Sequence, residues 1–467
     1  MCLDHPHHSL YLLLSLKKHK PNTNEVLNPL LLSRCAAAQA IWDQLLLQDH
    51  RYILDVLLPI DGFTDQCITL AAYKVSKGKS IDLTKFSAGD YWLNELPAIP
   101  PPTETIRVDP SKQYKNVPVL HSIDKKILIA TSGLSLPKIA NFILSNGTEH
   151  RVLLKHGTDG IRQDSIMEQV FNKVNNIFAK DRECNKRGLT IRTYNAVPLG
   201  PLSGIIEFVP NSMAFIDVIS GYHQMHDKIS YDKAREMMKL CQSGDKQKRI
   251  HSFEQIEAKI KPVMRYFFQE TFLTSDSWFE SRVKYTHGIA TSSIVGHILG
   301  LGDRHCNNIL IDRSTGEPIH IDLGVAFDQG KRLAIPETVP FRLTRDIVDG
   351  FGVTGVEGMF KKSCEHTLRV LRTNKEHIIS ILDVLRWDPL YSWTLSRFKK
   401  RKLQEDETGP GVQPEEEGSE AGTAIMTVIE KLNANGLSTE AAVRELIQEA
   451  TSTQNLALIY FGWLPFY

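Results

Sequence analysis

GHILGLGDRHCNNILIDRSTGEPIHIDLGVAF, residues 296–327, is the stretch on which the fold of this chain turns. Two short runs rich in β-branched residues, ILID at 309–312 and IHID at 319–322, flank the polar turn RSTGEP. That pattern predicts a β-hairpin. A loop carrying Asp303, Arg304, His305 and Asn308 leads into it, and Asp322-Leu323-Gly324 leads out.

On both sides of the hairpin the pattern is helical, from about 210 up to it and again from about 344 to 398. Residues 105–209 are β-rich instead. TIRVD, KILIAT, KIANFIL and HRVLLK read as short strands separated by SGLSLP and SNGTE, with LTIRTYNAVPL and SGIIEFVP as later ones. Between them, DSIMEQVFNKVNNIFAK places Ile166, Met167, Val170, Phe171, Val174, Ile177 and Phe178 on one helical face. A small β lobe with one helix, followed by a larger helical lobe, predicts an α+β, two-lobed architecture with a cleft between.

Residues 8 to about 80 read as helices, and the Pro-rich LPAIPPPTE at 96–104 is a predicted domain boundary. LYLLLSL at 10–16 is too short to span a bilayer, and its lysines follow rather than precede it; it reads as a buried helix. RFKKRKLQEDETGPGVQPEEEGSEAG, 397–422, is basic and then acidic with almost nothing apolar, so 401–430 is expected to be a disordered charged linker. KKRK within it reads as solvated charge in preference to a nuclear-import patch. The chain closes with an amphipathic helix, Ala442, Val443, Leu446 and Ile447 on one face, and an aromatic ending, Tyr460, Phe461, Trp463, Phe466 and Tyr467. Such an ending is expected to dock on the preceding domain rather than on a membrane.

A length of 467 residues suffices for two or three domains, and 42% hydrophobic with 23% charged residues is ordinary for a globular chain. A net charge of +1 offers no general attraction to nucleic acid or membrane. Seven scattered cysteines without a CxxC pair fit a reduced cytosolic or nuclear compartment. Cys2, His5, His7 and His8 lie close together, but Pro6 interrupts helical spacing, and no metal site is expected there.

Phosphoryl transfer needs a carboxylate to take a hydroxyl proton, metal ligands at the phosphates, and a cation on the nucleotide. In the protein-kinase loop H-R-D-x-x-x-x-N, the base Asp lies five positions before the metal-binding Asn. Asp303 and Asn308 keep that spacing, and Asp322-Leu323-Gly324 stands where D-F-G would. Asn and Asp supply the hard oxygens that Mg²⁺ prefers. The His has moved: His305, two after Asp303, is placed to stabilise the transferring phosphoryl group or help the proton leave, the plainer alternative being a packed core imidazole. RVLLK ends a predicted strand at Lys155, like the strand whose Lys holds the α/β-phosphates. Asp164, Glu168 and Asp159 are candidates to pair with it. There is no G-x-G-x-x-G; ATSGLSLPK offers only Gly133, with Ser132 and Ser135 to cap phosphates.

Taken together, D-R-H-x-x-N with HIDLGVAFDQGK, PETVPFRLTRDIVDGFGVTGVEGMF and the early HPHHSLY resembles the phosphatidylinositol-3-kinase-related protein kinases, in their ATM-type branch with its fungal members, over nearly the whole chain. The resemblance implies the end of a FAT helical domain at 1–95, a PI3/PI4-kinase-like catalytic domain at 105–400 (small lobe 105–209, large lobe 210–400) and a FATC tail at 435–467. It implies that Asp303 is the base, His305 assists transfer, Asn308 and Asp322 bind Mg²⁺ (Mn²⁺ being an alternative), and Lys155 binds the phosphates of ATP. Glu207, Phe208 and Val209 would form the hinge behind adenine, with Leu153 and Ile321 lining its pocket.

The same resemblance implies a Ser/Thr kinase acting before Gln, in DNA-damage checkpoint signalling and telomere maintenance. It also implies a nuclear homodimer recruited by a DNA-end sensor complex; no direct DNA-binding motif and no membrane segment is recognised in the chain. Two departures stand out. KHGTDGIRQD is one residue longer than the animal spacing, with Gly160 where an acid is common, which leaves the partner of Lys155 open. Family members also carry a long upstream solenoid, so the chain is expected to be a fragment or to begin at a gene-model Met1.

Two alternatives remain. A phosphoinositide kinase shares the loop but needs several basic residues to meet a polyanionic headgroup. Between Asp322 and Thr344 only Lys331, Arg332 and Arg342 are basic, against Asp328 and Glu337. A silent scaffold of the same shape would have no physical need to keep Asp303, Asn308, Asp322 and Lys155 together.

Overall fold

The computed structural model describes residues 1–19, 29–75, 79–114, 116–130, 136–157, 161–242, 244–385, 420–433 and 436–467. The described residues fall into two compact units, one built from 1–168 and 194–209, the other from 169–193 and from 210 onward.

In the first unit, helices α1 (Pro6–Lys17), α2 (Pro29–Leu45) and α3 (Leu58–Ala72) precede the sheet. Pro6 starts α1, where a missing amide proton costs nothing, and Leu10, Tyr11, Leu13 and Leu14 form its buried face. LYLLLSL is therefore a buried helix, as its pattern suggests. Lys17 and Lys18 reach Asp61 of α3, and Lys17 also lies 3.6 Å over the Trp42 ring of α2. The sheet comprises β1 (Ile81–Asp82), β2 (Leu120–Ile123), β3 (Lys126–Ile129), β4 (Lys138–Leu144), β5 (Glu149–His156), β6 (Ala196–Pro198) and β7 (Ser203–Glu207). Its order is β1-β3-β4-β5-β7-β6, with β2 also on β4, and every pairing is antiparallel. Alternation along β4 and β5 turns Ala140, Phe142, Leu144, Val152 and Leu154 into the core shared with the helices. There Phe63 of α3, Trp92 and Phe142 meet with ring centroids 5.9–6.2 Å apart. Each such buried ring contributes roughly 2–3 kcal/mol.

Two expectations are corrected here. Residues 105–109 form no strand, whereas LHSI at 120–123 does. The Pro-rich 96–104 segment does not separate two compact units either: Ile99, Pro100, Pro101 and Thr103 are buried, the Ile99 carbonyl accepts the Leu120 amide at 2.8 Å, and Thr103 Oγ1 meets His150 Nε2 at 2.8 Å. Proline removes a donor but keeps its acceptor and its apolar surface, so such a strap packs well.

Helix α4 (Ile161–Lys180) begins in the first unit and ends in the second. The second unit continues with β8 (Ser212–Ala214), α5 (Phe215–His226), α6 (Ser275–Leu299), β9 (Ile309–Asp312), β10 (Pro318–His320), α7 (Met359–Thr373), α8 (Glu420–Asn433) and α9 (Thr439–Thr451). The predicted hairpin is β9–β10, with Leu310 opposite Ile319, and β8 extends it to three strands. The C-terminal half of α6 is buried almost all round, and Pro318 of β10 sits against Gly288, where a Cβ would approach its Cδ to 2.6 Å. Of the disordered linker expected over 401–430, residues 401–419 lie outside the described residues, and from Glu420 the chain is the helix α8 instead. Its buried Ala424, Ile425, Val428 and Leu432 make a helical stripe that the flanking acidic run disguises.

Candidate active site

In the first unit, β5 carries two of the expected residues on one face. Leu153 is half-buried and Lys155 buried, while Val152 and Leu154 point the other way. Lys155 stands opposite Gly204 of β7. Ile161, the first residue of α4, packs onto Gly204 so closely that a Cβ there would lie 2.6 Å from its Cγ2. That contact fixes the start of α4, whose first turn holds Asp164, buried like Lys155. Glu168, one turn on, is engaged elsewhere, since its Oε2 accepts the Tyr194 amide at 3.2 Å. Burial raises the Glu168 carboxyl well above the usual carboxylate range, against the pull of that amide.

At the end of β7, Glu207 and Asn195 exchange bonds, Asn195 N–H to Glu207 Oε2 at 2.9 Å and Glu207 N–H to Asn195 O at 2.8 Å. Phe208 N–H donates to Arg151 O at 3.0 Å, and Val209 is buried. Ser132, Gly133, Ser135 and Asp159 lie outside the described residues.

In the second unit, α6 ends at Gly300 in the left-handed conformation, φ +62°, where a Cβ would strike the Asp328 backbone. The loop that follows is tied down by Arg304. Its buried guanidinium donates Nε to Gly302 O (2.8 Å), Nη1 to Ile321 O (2.8 Å) and Asn308 O (3.3 Å), and Nη2 to Asp322 O (2.6 Å). One side chain thus spans the loop before the hairpin and the segment after it. Ile321, half-buried, also donates its N–H to Asn308 O at 3.0 Å.

Asp303 and Asp322 both adopt left-handed backbone angles, φ +58° and +52°. Asp tolerates this conformation at modest cost, and its repetition at two acids marks a shaped site. Asn308 Nδ2 donates to Asp303 O at 2.9 Å and lies 3.3 Å from Asp303 Oδ2, which leaves Oδ1 as the amide end these bonds do not use. Asn308 Oδ1 and the Asp322 carboxylate are hard oxygen donors of the kind a Mg²⁺ ion takes alongside water and phosphate oxygens, so the donor set fits such an ion. Among the described residues no group of three or more His, Cys, Asp or Glu side chains is gathered as a metal site would need. In the Cys2–His8 stretch, His5 and His8 have other partners. There, His5 Nδ1 contacts Tyr114 Oη and His8 Nε2 contacts Ile106 O at 2.9 Å.

His305 accepts the Asn307 amide on Nδ1 at 3.2 Å, and its Nε2 lies 3.9 Å from Asp303 Oδ1. Burial, with Arg304 and Arg342 nearby, lowers its pKa to about 4, so the ring is neutral near pH 7. With Nδ1 accepting, the neutral ring carries its proton on Nε2.

Sequence reasoning missed three anchors. Arg304 was visible in the loop but its four carbonyl partners were not. Glu337 accepts the Asp303 amide on Oε1 at 2.7 Å, and burial raises its carboxyl while that amide and Arg304 pull it back. Arg342, counted from sequence among the basic residues between Asp322 and Thr344, is buried instead. It donates to Trp463 O (2.8 Å), Leu464 O (2.7 Å), Tyr467 O (2.6 Å) and Arg304 O (3.3 Å), with Trp463 stacked at 4.3 Å. Phe461, Trp463, Leu464, Phe466 and Tyr467 are buried with it, so the aromatic ending docks within the unit that carries the Asp303–Asn308 loop. The only sequence signal was the aromatic ending itself.

Residues 150–395 match the family described as Phosphatidylinositol 3- and 4-kinase, which is more than half the chain. The chain belongs to that family. Residues 436–467 match the FATC domain. Across all 467 residues the chain is 99% identical to the Serine/threonine-protein kinase TEL1 of Candida albicans, of which it spans 16%. It is 45% identical to the protein of the same name from Saccharomyces cerevisiae over 99% of the chain and 17% of that relative. A solved structure described as the open conformation of CtTel1 superposes with a TM-score of 0.91 at 38% identity, covering all of this chain and 17% of that one. A Tel1 kinase butterfly symmetric dimer superposes at 0.85 with 43% identity, over 99% of this chain and 19% of that one. The chain therefore spans about a sixth of the length of the relatives it matches. The α+β, two-lobed kinase fold expected from sequence is the fold of these structures, and no helix among the described residues is long and apolar enough to cross a membrane.

Proposed function

We propose that this chain is the catalytic region of a serine/threonine protein kinase that moves the γ-phosphate of ATP to Ser or Thr followed by Gln. The observation that carries the reading is the Arg304-pinned loop, which holds Asp303, a neutral His305 and Asn308 in one rigid frame with the Asp322 backbone. Asp303 takes the hydroxyl proton of the substrate. His305, protonated on Nε2, donates a hydrogen bond to the charge that builds on the transferring phosphoryl oxygens. Asn308 and Asp322 would hold Mg²⁺ (or Mn²⁺), which would supply positive charge against the phosphate oxygens. Lys155 holds the phosphates, with Asp164 its acidic support. Glu207, Phe208, Val209 and Leu153 receive adenine, and Ser132, Gly133 and Ser135 cap phosphate oxygens.

In this reading 1–95 is the end of a FAT domain, 105–400 the kinase domain and 435–467 FATC. The relatives' name, TEL1, fits a role in telomere maintenance, and the dimeric Tel1 structures support a homodimer; a nuclear role in checkpoint signalling and a DNA-end sensor complex as recruiting partner complete the proposal. A protein rather than a lipid substrate is favoured by the fate of the basic residues after Asp322. Arg342 is buried and Lys331 pairs with Asp328 at 3.2 Å, so of the three basic residues only Arg332 and the partly neutralised Lys331 are exposed, fewer than a polyanionic headgroup calls for.

Labelled ATP supplied with a Ser-Gln peptide, its Ala-Gln control and phosphoinositide vesicles tests the reading. Label in the Ser-Gln peptide is expected, with a drop of roughly 10²–10⁴-fold in Asp303→Ala. Label in lipid alone, or full turnover in Asp303→Ala, would sink it.

A further inference from the structure

Asp303 sits at φ +58° on a loop with no regular secondary structure, so something must hold that conformation. Its carbonyl is held by Asn308 Nδ2 at 2.9 Å. Its amide is held by a residue 34 positions later, Glu337, whose Oε1 accepts it at 2.7 Å. The fold clears space for that carboxylate. A Cβ on Gly302 would lie 2.6 Å from Glu337 Oε2, and one on Gly330 would collide with the same oxygen. Glu337 is itself folded back by its own amide, which donates to Gly330 O at 3.1 Å, while Gly302 N–H donates to Val325 O at 2.9 Å. Two glycines, two backbone bonds and a carboxylate thus converge on one amide. A charge-assisted bond to a backbone N–H is strong and directional, and direction is what a general base requires.

We propose that Glu337 is a positioning residue for phosphoryl transfer: its carboxylate holds the Asp303 amide and so aims the Asp303 carboxylate. The inference rests on the reading of Asp303 as the base. Glu337 touches neither nucleotide nor acceptor; it acts through Asp303. Because it belongs to the segment after Asp322, it also makes the aim of the base depend on that segment being folded, while Arg304 ties the same two stretches from the other side.

The test uses the full protein, a Ser-Gln peptide and varied ATP. Glu337→Ala is expected to lower kcat by about 10²-fold, the cost of a misplaced catalytic group, with the KM for ATP unchanged and the thermal midpoint lowered by no more than about 5 °C. Glu337→Gln keeps an acceptor oxygen at the same reach and is expected to retain most of kcat. Glu337→Asp keeps the charge but falls a methylene short, and is expected to resemble Ala. In an Asp303→Ala background, Glu337→Ala should remove nothing further, because the two act as one unit. Wild-type kcat in both Glu337→Ala and Glu337→Asp would overturn the proposal, as would an undiminished loss in the Asp303→Ala background. If Glu337→Ala does not fold, the Gln and Asp variants decide: fast Gln with slow Asp supports positioning, and equal rates overturn it. An active Asp303→Ala single variant would instead defeat the reading of Asp303 as the base.

Discussion

Replacing Arg342 with Met should release the C-terminal tail. The guanidinium donates to the carbonyls of Trp463, Leu464 and Tyr467 and to that of Arg304, with Cys306 Sγ 2.9 Å away. Met fills a similar volume, so the loss is of hydrogen bonds rather than of packing. Each charge-assisted bond nets about 1.5–3 kcal/mol in isolation. Bonds shared by one buried cation do not add, and its desolvation offsets part of the gain. A value of about 4 kcal/mol is reasonable, within the range for breaking a buried charged network. That lowers the ratio of docked to undocked tail by nearly 10³-fold, at about 1.4 kcal/mol per decade. Hydrogen exchange reads it directly. The amides of Trp463, Leu464 and Tyr467 make local bonds to Tyr460, Phe461 and Leu464, so their protection tracks docking of the segment. Faster exchange there by about that factor is expected, with Arg342→Lys intermediate because an ammonium lacks the planar fork. Unchanged tail exchange and an unchanged thermal midpoint in Arg342→Met would refute the reasoning.

Gly204→Ala should destabilise the first unit by about 1–3 kcal/mol, because the new methyl meets Ile161 Cγ2 at 2.6 Å and Val197 O at 2.8 Å; a denaturant midpoint equal to wild type would contradict it. Lys431→Met removes the bonds from α8 to Asp328 Oδ1 (2.6 Å) and His297 O (2.9 Å), and should cost roughly 2 kcal/mol and expose α8 to protease. His223 is buried between Asp346 (3.1 Å) and Asp227 (2.9 Å); burial opposes its charge, but the two carboxylates outweigh that and raise its pKa above the ordinary 6.5. Its stabilising contribution is therefore complete below pH 6.5 and is lost as pH rises through the raised native value. The fall in thermal midpoint over that window should flatten in His223→Gln, and an identical slope in the two proteins would rule His223 out.

The parts of the site that could be read from the sequence are local. The five-residue step from Asp303 to Asn308, the hairpin and the Asp-Leu-Gly at its exit depend only on spacing, β-branched alternation and turn residues, and the structure forms β9 and β10 there. The strand bearing Lys155 and the amphipathic α4 follow for the same reason, since their periods are written in consecutive residues. Where the reading failed, an apparently polar or Pro-rich stretch was packed by distant partners. The 96–104 strap lies under Leu120 and His150, and α8 carries an apolar stripe beside an acidic run.

The sequence by itself determined which groups are available for the chemistry: two carboxylates and an amide at kinase spacing, with a lysine on a strand. Only the tertiary structure decided how they are aimed. Glu337 reaches Asp303 across 34 residues and Arg342 reaches Trp463 across 121, and no local pattern encodes such pairs. The same carboxylate or guanidinium on the surface would be an ordinary solvated charge. Burial and a fixed set of partners, which exist only once the chain has folded, make one an anchor for the Asp303 amide and the other an anchor for the tail.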